Sequence, residues 1–210
     1  MKKRILLVSL IVAVGLLSSC TKNDKTTITP IGTENIDDLD DILSVLSDTV
    51  AFWDGFGDVY EGAIPPDVQG NYKISPMKRI GTNVPDVPAE IVESDVFLHL
   101  SKQNNGTATA NLYFESETET DTVFVMGLDN YFTVYFIEKK AFDVSNNQNV
   151  NHVRLERGII MTGSVTPSGI ANFRMATVIR EMEDDADGTL SYPQGSFFIY
   201  KDDDGISERI

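Results

Sequence analysis

The clearest metal-ligating pattern in the sequence is a run of carboxylates at alternating positions near the C-terminus. Glu183, Asp185 and Asp187 precede Gly188, and alternating oxygen ligands around a glycine turn suit calcium. The twelfth position of such a loop should be a bidentate Glu, but it is Gln194 here, and no flanking helices are expected. An EF-hand is therefore excluded. A looser calcium site is the alternative to a solvated acidic loop, which is the interpretation we favour.

Residue sets for other catalytic chemistry are missing from the sequence. The chain has two histidines, His99 and His152, and one cysteine, Cys20. It has no glycine-rich phosphate loop, no HExxH zinc motif and no GxSxG nucleophile motif. The net charge of −15 repels nucleic acid, which we exclude as a partner. We therefore expect a protein that is not an enzyme, although a hydrolase with other residues stays open, and no cofactor other than calcium.

Aromatic side chains offer a different chemistry, which is stacking and apolar contact with a small ligand. Trp53 lies in the glycine-interrupted aromatic segment 51–66, and Tyr72, Tyr113 and Tyr135 lie in alternating apolar segments. These four residues are the predicted binding site for a small or partly apolar ligand, and a glycan stacked on Trp53 is one version of it. In the alternative interpretation, the same rings fill the core and segment 51–66 forms a hydrophobic plug.

Alternating apolar residues from residue 67 onward predict a domain built of β-strands. Asn104-Asn105-Gly106 and the segment Thr166-Pro167-Ser168-Gly169 are strong signals for tight turns between strands. The segment 131–137 is apolar on both faces, as in a strand covered from both sides. The predicted strands are 70–74, 96–100, 107–115, 120–126, 131–137, 151–164, 170–180 and 196–200.

The polar segments between these strands are predicted to be loops. The stretch with Pro76, Pro85 and Pro88 reads as one long loop, because proline interrupts regular pairing. Residues 139–149 form a polar, Asn-rich segment, and an acidic loop is expected at 181–195, with an acidic tail at 201–210.

Eight strands joined mostly by short sequential turns predict an antiparallel up-and-down β-barrel. A β-sandwich of the same strands is the alternative. The arrangement resembles calycin-like barrels, the relatives of lipocalins, over residues 67–200. Its motif is Gly70-Asn71-Tyr72, at the place where lipocalins commonly carry Gly-x-Trp. The resemblance implies a fold and does not identify a ligand.

A helix is expected before the barrel, because apolar residues recur at helical spacing between residues 36 and 50. Asn35 can cap its N-terminus, and four aspartates follow in the first turns, where the helix dipole favours negative charge. This apolar stripe cannot be buried by the helix alone, so the helix should pack on the domain that follows. The stripe consists of Ile36, Leu39, Ile42, Leu43, Leu46 and Val50.

The N-terminus has the organisation of an export signal. Three cationic residues precede an apolar run that ends at Leu17-Ser18-Ser19-Cys20, and this run is too short to span a bilayer. Leu-Ser-Ser-Cys resembles the lipobox of bacterial lipoproteins, which implies a signal peptide at 1–19 and a lipid on Cys20. Thr21 and Lys22 follow the cysteine, which by the same resemblance favours the outer membrane and leaves its face open.

These expectations combine into one domain organisation and two functional hypotheses. A polar tether at 20–35 leads to the helix and aromatic connector at 36–66 and then to the barrel at 67–210. The first hypothesis is a lipid-anchored, non-catalytic envelope protein that binds a ligand in the mouth of the barrel. The second is a structural lipoprotein with a filled barrel, which contacts an envelope protein partner through its outer surface.

Overall fold

A computed structural model of the chain describes residues 55–114, 117–146, 149–183 and 192–210. The predicted signal peptide, Cys20, the tether and the predicted helix lie outside these residues. The strands of the described part are β1 (Gly70–Ile74), β2 (Met77–Thr82), β3 (Ile91–Val92), β4 (Val96–Asn104), β5 (Thr107–Phe114), β6 (Glu117–Leu128), β7 (Tyr131–Asn146), β8 (Asn149–Thr166), β9 (Gly169–Glu183), β10 (Phe197–Asp202) and β11 (Ile206–Arg209).

The strands form a closed antiparallel barrel with eight positions around its circumference. Three of the positions are each occupied by two short strands in succession: β1 with β2, β3 with β4, and β10 with β11. Pairing continues across each interruption, since β1 pairs with β4 while β2 pairs with β3. The ring closes where β11 pairs with both β1 and β9. The predicted up-and-down barrel is therefore confirmed.

The hairpin turns lie where the sequence predicts them. The β4–β5 hairpin turns at Asn105 and Gly106, and the φ of 54° at Asn105 belongs to the left-handed region that Asn tolerates. The β8–β9 hairpin ends at Gly169, where φ is 150°. A Cβ atom there would lie 2.0 Å from the carbonyl oxygen of Ser207 in β11, so this position requires glycine for the barrel to close.

Three of the predicted loops are wrong, because strand pairing, in one case between consecutive strands, overrides local composition. The Pro-rich loop contains β2, since Pro76 precedes the strand and removes no donor from its ladder. The polar segment 139–149 is almost entirely strand, with β7 and β8 paired out to Asn146 and Asn149. The acidic tail contains β11, whose partners lie far away in sequence.

The wall of the barrel separates two apolar clusters. β7 shows this directly: Phe132, Val134 and Phe136 belong to the inner cluster, which fills the lumen, while Tyr135 belongs to the outer cluster. The prediction that this strand is covered on both faces is confirmed. The outer cluster also contains Phe56 from the connector, together with Ile160, Ala176, Val178, Phe197 and Ile199.

Candidate functional site

The lumen changes character from one end of the barrel to the other. At the connector end, residues 62–69 lead into β1. At the far end, β2 continues into the loop 83–90, and the segment 192–196 leads into β10. On β7, the lumen-facing positions from the connector end to the far end are Phe132, Val134, Phe136 and then Glu138. The lining therefore changes from apolar to charged along a single strand.

At the connector end, the lumen holds a buried tyrosine whose hydroxyl has hydrogen-bond partners. Tyr72 is fully buried, and its hydroxyl donates a hydrogen bond to the carbonyl of Val68 at 2.9 Å. Arg209 Nη2 donates to the same hydroxyl oxygen at 3.0 Å, and the guanidinium carbon lies 5.4 Å from the ring centroid. Burial raises the pKa of Tyr72, and Arg209 partly opposes this rise. The Tyr72 hydroxyl therefore both donates and accepts a hydrogen bond within the fold.

The connector itself is held against this end by an amide side chain. Gln103 Nε2 donates to the carbonyl of Pro66 at 2.8 Å, and the backbone N–H of Val68 donates to Gln103 Oε1 at 2.8 Å. Val68 is fully buried in the inner cluster. The connector and the side chains of the inner cluster therefore close this end of the lumen.

Two ion pairs lie within the lumen at the far end. Glu138 on β7 is directly opposite Arg157 on β8 in the ladder, and Arg157 Nε donates to Glu138 Oε2. Arg79 on β2 places Nη2 2.8 Å from Glu93 Oε1. Glu138 is 3% exposed and Arg79 is 9% exposed, so both pairs contribute charges that are largely removed from water.

Tyr200 on β10 packs against the inner cluster beside the ion pair of Arg79 and Glu93. It is opposite Arg79 on one side and Met175 of β9 on the other. Burial raises the pKa of Tyr200 to about 12, an effect that Arg79 opposes, Glu93 reinforces and Arg157 opposes. The Tyr200 hydroxyl stays protonated at neutral pH and is available as a hydrogen-bond donor.

Two donors of this group have no acceptor among the described residues. Arg79 Nε is buried without a hydrogen-bond partner, and no hydrogen bond joins the Tyr200 hydroxyl to the described part of the chain. Of these two donors, Arg79 Nε is the buried one, and a buried donor without an acceptor typically costs about 1–3 kcal/mol. The far-end cluster, defined as Arg79, Glu93, Glu138, Arg157 and Tyr200, is therefore the candidate functional site.

The surroundings of Arg79 are held in place by packing and by a side-chain amide. The guanidinium carbon of Arg79 lies 5.7 Å from the centroid of the Phe198 ring, and Tyr192 packs edge-on against that ring at 5.0 Å. Asn83 Nδ2 donates to the carbonyl of Gly195 at 2.9 Å. Loop 83–90 is thereby tied to the segment that enters β10, which gives the far end a defined rim.

The aromatic residues predicted from the sequence are not brought together. Tyr72 is in the lumen at the connector end, whereas Tyr135 is on the outer side of the wall, stacked on Phe124 with centroids 5.3 Å apart. Tyr113 is a β5 residue whose side chain lies outside the described part, and Trp53 lies outside the described residues altogether.

The predicted calcium ligands lie at or beyond the border of the described structure. Glu183 is the last residue of β9, without a described side chain, and Asp185 and Asp187 are outside the described residues. Among the residues that the structure does describe, no three His, Cys, Asp or Glu side chains are grouped closely enough to hold a metal ion.

Sequence reasoning missed every member of the far-end cluster. Glu138 offered a signal, because it continues the alternation of Phe132, Val134 and Phe136 and therefore faces the lumen. Arg79 offered none, because its strand lies in a stretch that its prolines mark as a loop. The sequence predicts a strand at Tyr200, but the cross-strand partners of this residue depend on how the barrel closes.

A second feature lies on the outside of the connector end, where three large apolar side chains are exposed. Ile64 is 77% exposed, Leu128 57% and Tyr131 47%. The backbone of Ala63 bridges to Gly127, which brings the connector beside the β6–β7 hairpin. A shallow depression of about 360 Å³, lined by Ile64, Gln69 and Gln103 among others, adjoins this surface.

No family model, curated protein or solved structure matches this chain. In the part of the chain that the structure describes, no helix is both long enough and apolar enough to cross a bilayer.

Proposed function

We propose that this chain is a lipid-anchored, non-catalytic protein of the bacterial cell envelope, and that it binds a small ligand at the far end of its barrel. The observation that carries the proposal is the far-end cluster, where Arg79 Nε and the Tyr200 hydroxyl lack acceptors among the described residues. Buried ion pairs are rarely more stabilising than apolar side chains of similar volume. A lumen selected only for stability would therefore continue the apolar lining of the connector end.

The position of the cluster also supports binding. It occupies the interior of one barrel end, and small-molecule sites commonly combine apolar walls with a few convergent polar groups at such mouths. Phe198 and the inner cluster supply the apolar wall, while Arg79 and Tyr200 supply the polar groups. The lipid anchor in the proposal is supported by the resemblance of Leu17-Ser18-Ser19-Cys20 to a lipobox, and the outer-membrane location by Thr21 and Lys22 directly after the cysteine.

Native mass spectrometry of the full-length protein, extracted gently from the envelope, tests the binding function. We expect a bound mass on the wild-type protein that is lost or strongly reduced in Tyr200→Phe. The matched control is Tyr131→Phe, which removes the same atom from an exposed ring at the opposite end and should keep the bound mass. Wild-type protein without any bound mass, or equal retention in both variants, would count against binding at the far end.

The anchor is tested separately by Cys20→Ser. The variant should move from the membrane fraction to the soluble fraction, because a lipid chain contributes about 0.8 kcal/mol per buried CH₂ and several chains hold a protein firmly. A variant that stays membrane-bound contradicts the anchor but leaves ligand binding untouched.

A second candidate function is supported by the exposed apolar surface at the connector end. Ile64, Leu128 and Tyr131 are more exposed than large apolar residues usually are, and such surfaces commonly mark contacts between proteins. This observation favours a structural lipoprotein that binds an envelope partner. A photo-crosslinking residue at position 128 should then capture one protein in intact cells, whereas the same residue at exposed position Phe97 on β4 should not.

A further inference from the structure

The charge balance of the far-end cluster restricts the chemistry of the ligand that it can bind. This inference rests on the proposed binding function. Arg79 is paired with Glu93 and Arg157 with Glu138, so each cation already has its anion. The phenol of Tyr200 is uncharged at neutral pH, since burial keeps its pKa far above that range. The formal charge of the five-residue cluster is therefore zero.

Two hydrogen-bond donors of the cluster lie on neighbouring strands and lack an acceptor among the described residues. Arg79 Nε–H has no acceptor among the described residues, and the Tyr200 hydroxyl, on the strand paired with β2, also makes no bond to the described residues. Arg79 and Tyr200 are cross-strand neighbours, and directly opposed side chains in an antiparallel pair have Cβ atoms about 4.5–5.5 Å apart. One ligand oxygen, or two on adjacent atoms, can therefore accept from both groups.

We propose that the far-end cluster binds an uncharged ligand through an acceptor oxygen, such as the carbonyl of an amide, which accepts from Arg79 Nε and the Tyr200 hydroxyl. A carboxylate would supply an acceptor, but it would also add a negative charge beside Glu93 and Glu138 in a partly buried site. The whole chain, with a net charge of −15, would repel it further. An alkylammonium group would supply no acceptor for Arg79 Nε, and it would add a positive charge beside two guanidinium groups.

Three unbranched probes with six carbon atoms each separate these possibilities: hexanamide, hexanoate and hexylammonium. The measurement is NMR of the full-length chain in phosphatidylcholine nanodiscs, with ¹³C-labelled methionine methyl groups. Met175 is buried in the lumen and paired with Tyr200, so it reports on the site. Met126 packs against the outer cluster and serves as an internal control for nonspecific effects.

We expect hexanamide to shift the Met175 signal in a saturable manner and to leave Met126 unchanged. Hexanoate and hexylammonium should bind at least about tenfold more weakly, as expected when a charge must be desolvated without a new partner. Arg79→Lys keeps the charge but removes Nε–H, and Tyr200→Phe removes the hydroxyl. Each should weaken hexanamide binding about three- to tenfold, the usual effect of one hydrogen bond. Tyr131→Phe should have no effect.

The outcomes distinguish this inference from the proposed function on which it rests. If hexanoate binds as tightly as hexanamide, or if neither variant weakens hexanamide binding, the assignment of an uncharged acceptor is overturned while ligand binding in the barrel stands. If none of the three probes shifts Met175, the inference is overturned, and a bound mass on the extracted wild-type protein would still support the proposed function. A Met126 shift equal to that of Met175 would show nonspecific uptake and would overturn the site assignment.

Discussion

Two tyrosines in the same lumen show how differently the two ends of this barrel are built. The Tyr72 hydroxyl donates to Val68 and accepts from Arg209, and the ring is fully buried. Tyr200 is also largely removed from water, with its pKa raised to about 12, but its hydroxyl makes no hydrogen bond to the described residues. The fold therefore provides hydrogen-bond partners for the tyrosine hydroxyl at one end and provides none among the described residues at the other.

This difference indicates that the connector end mainly contributes stability and that the far end mainly contributes function. At the connector end, burial and hydrogen bonding favour the folded state together. At the far end, two partly buried ion pairs and the buried Arg79 Nε donor without an acceptor add little stability or oppose it. Natural proteins tolerate such local costs mainly at functional sites. Changes at the connector end should therefore lower the free energy of unfolding, while changes at the far end should mainly alter binding.

The largest expected effect on stability is from the inner cluster near the connector end. Phe132→Ala removes a fully buried ring and should lower the free energy of unfolding by about 3–5 kcal/mol, because it leaves a cavity in a packed lumen. Urea denaturation measures this change. Phe97→Ala, at a position 40% exposed on β4, is the matched control and should cost much less. Equal losses in the two variants would contradict a filled connector end.

The next effect tests whether the far-end ion pair of Glu138 and Arg157 stabilises the barrel. Glu138→Gln removes the negative charge that faces Arg157, and it should lower the free energy of unfolding by about 2 kcal/mol. This loss is smaller than the ~3–5 kcal/mol usually found when one partner of a buried ion pair is removed, because the Arg157 side chain is 28% exposed. The double variant Glu138→Leu with Arg157→Met should recover most of that loss in urea denaturation. If the double variant is less stable than Glu138→Gln, the ion pair itself contributes to stability. The two ends of the barrel then differ less in their contribution to stability than we infer.

A smaller effect on stability is expected when the hydroxyl of each of the two tyrosines is removed. Tyr72→Phe removes a hydroxyl that both donates and accepts, and should cost about 1 kcal/mol of unfolding free energy, with the Arg209 donor also losing its acceptor. Tyr200→Phe removes a hydroxyl without a described partner and should change stability by less than about 0.5 kcal/mol. Thermal unfolding of both variants measures the difference. A Tyr200→Phe variant that loses as much stability as Tyr72→Phe would show that its hydroxyl has a structural partner.

The barrel could be predicted from the sequence, whereas the site could not. Strand positions such as Tyr131–Ile137 follow from local alternation, and turns such as Asn105-Gly106 follow from the conformations that Asn and Gly tolerate. β11 could not be found in this way, because its short polar sequence becomes a strand only by pairing with β1 and β9. The far-end cluster also depends on closure of the barrel, because the pairing of β2 with β10 brings together Arg79 and Tyr200, which are 121 residues apart in the sequence.

The smallest expected effect concerns Asp202, which lies between the two ends where β10 leads into β11. Its side chain is buried, and Oδ2 accepts a hydrogen bond from Ser207 Oγ at 2.8 Å. Burial raises the pKa of Asp202; the Ser207 hydrogen bond opposes this and Asp204 adds to it. The folded state therefore holds this proton more tightly than the unfolded state, whose pKa is about 3.9. Stability from this group falls as the pH rises from about 4 and stays lost above the folded-state pKa.

Asp202→Asn removes this titration and can still accept from Ser207. The variant should thus gain stability relative to wild type as the pH rises from 4 to 7, by less than about 1 kcal/mol because the charge is partly screened. Urea denaturation at both pH values measures the difference. Asp203→Asn is the matched control, because a hydrogen bond from Lys201 lowers the pKa of Asp203. That variant should lose stability relative to wild type over the same rise in pH. If the two neighbours respond with the same sign, Asp202 is not held in a desolvated position, and the transition between the two ends is more open to water than its burial indicates.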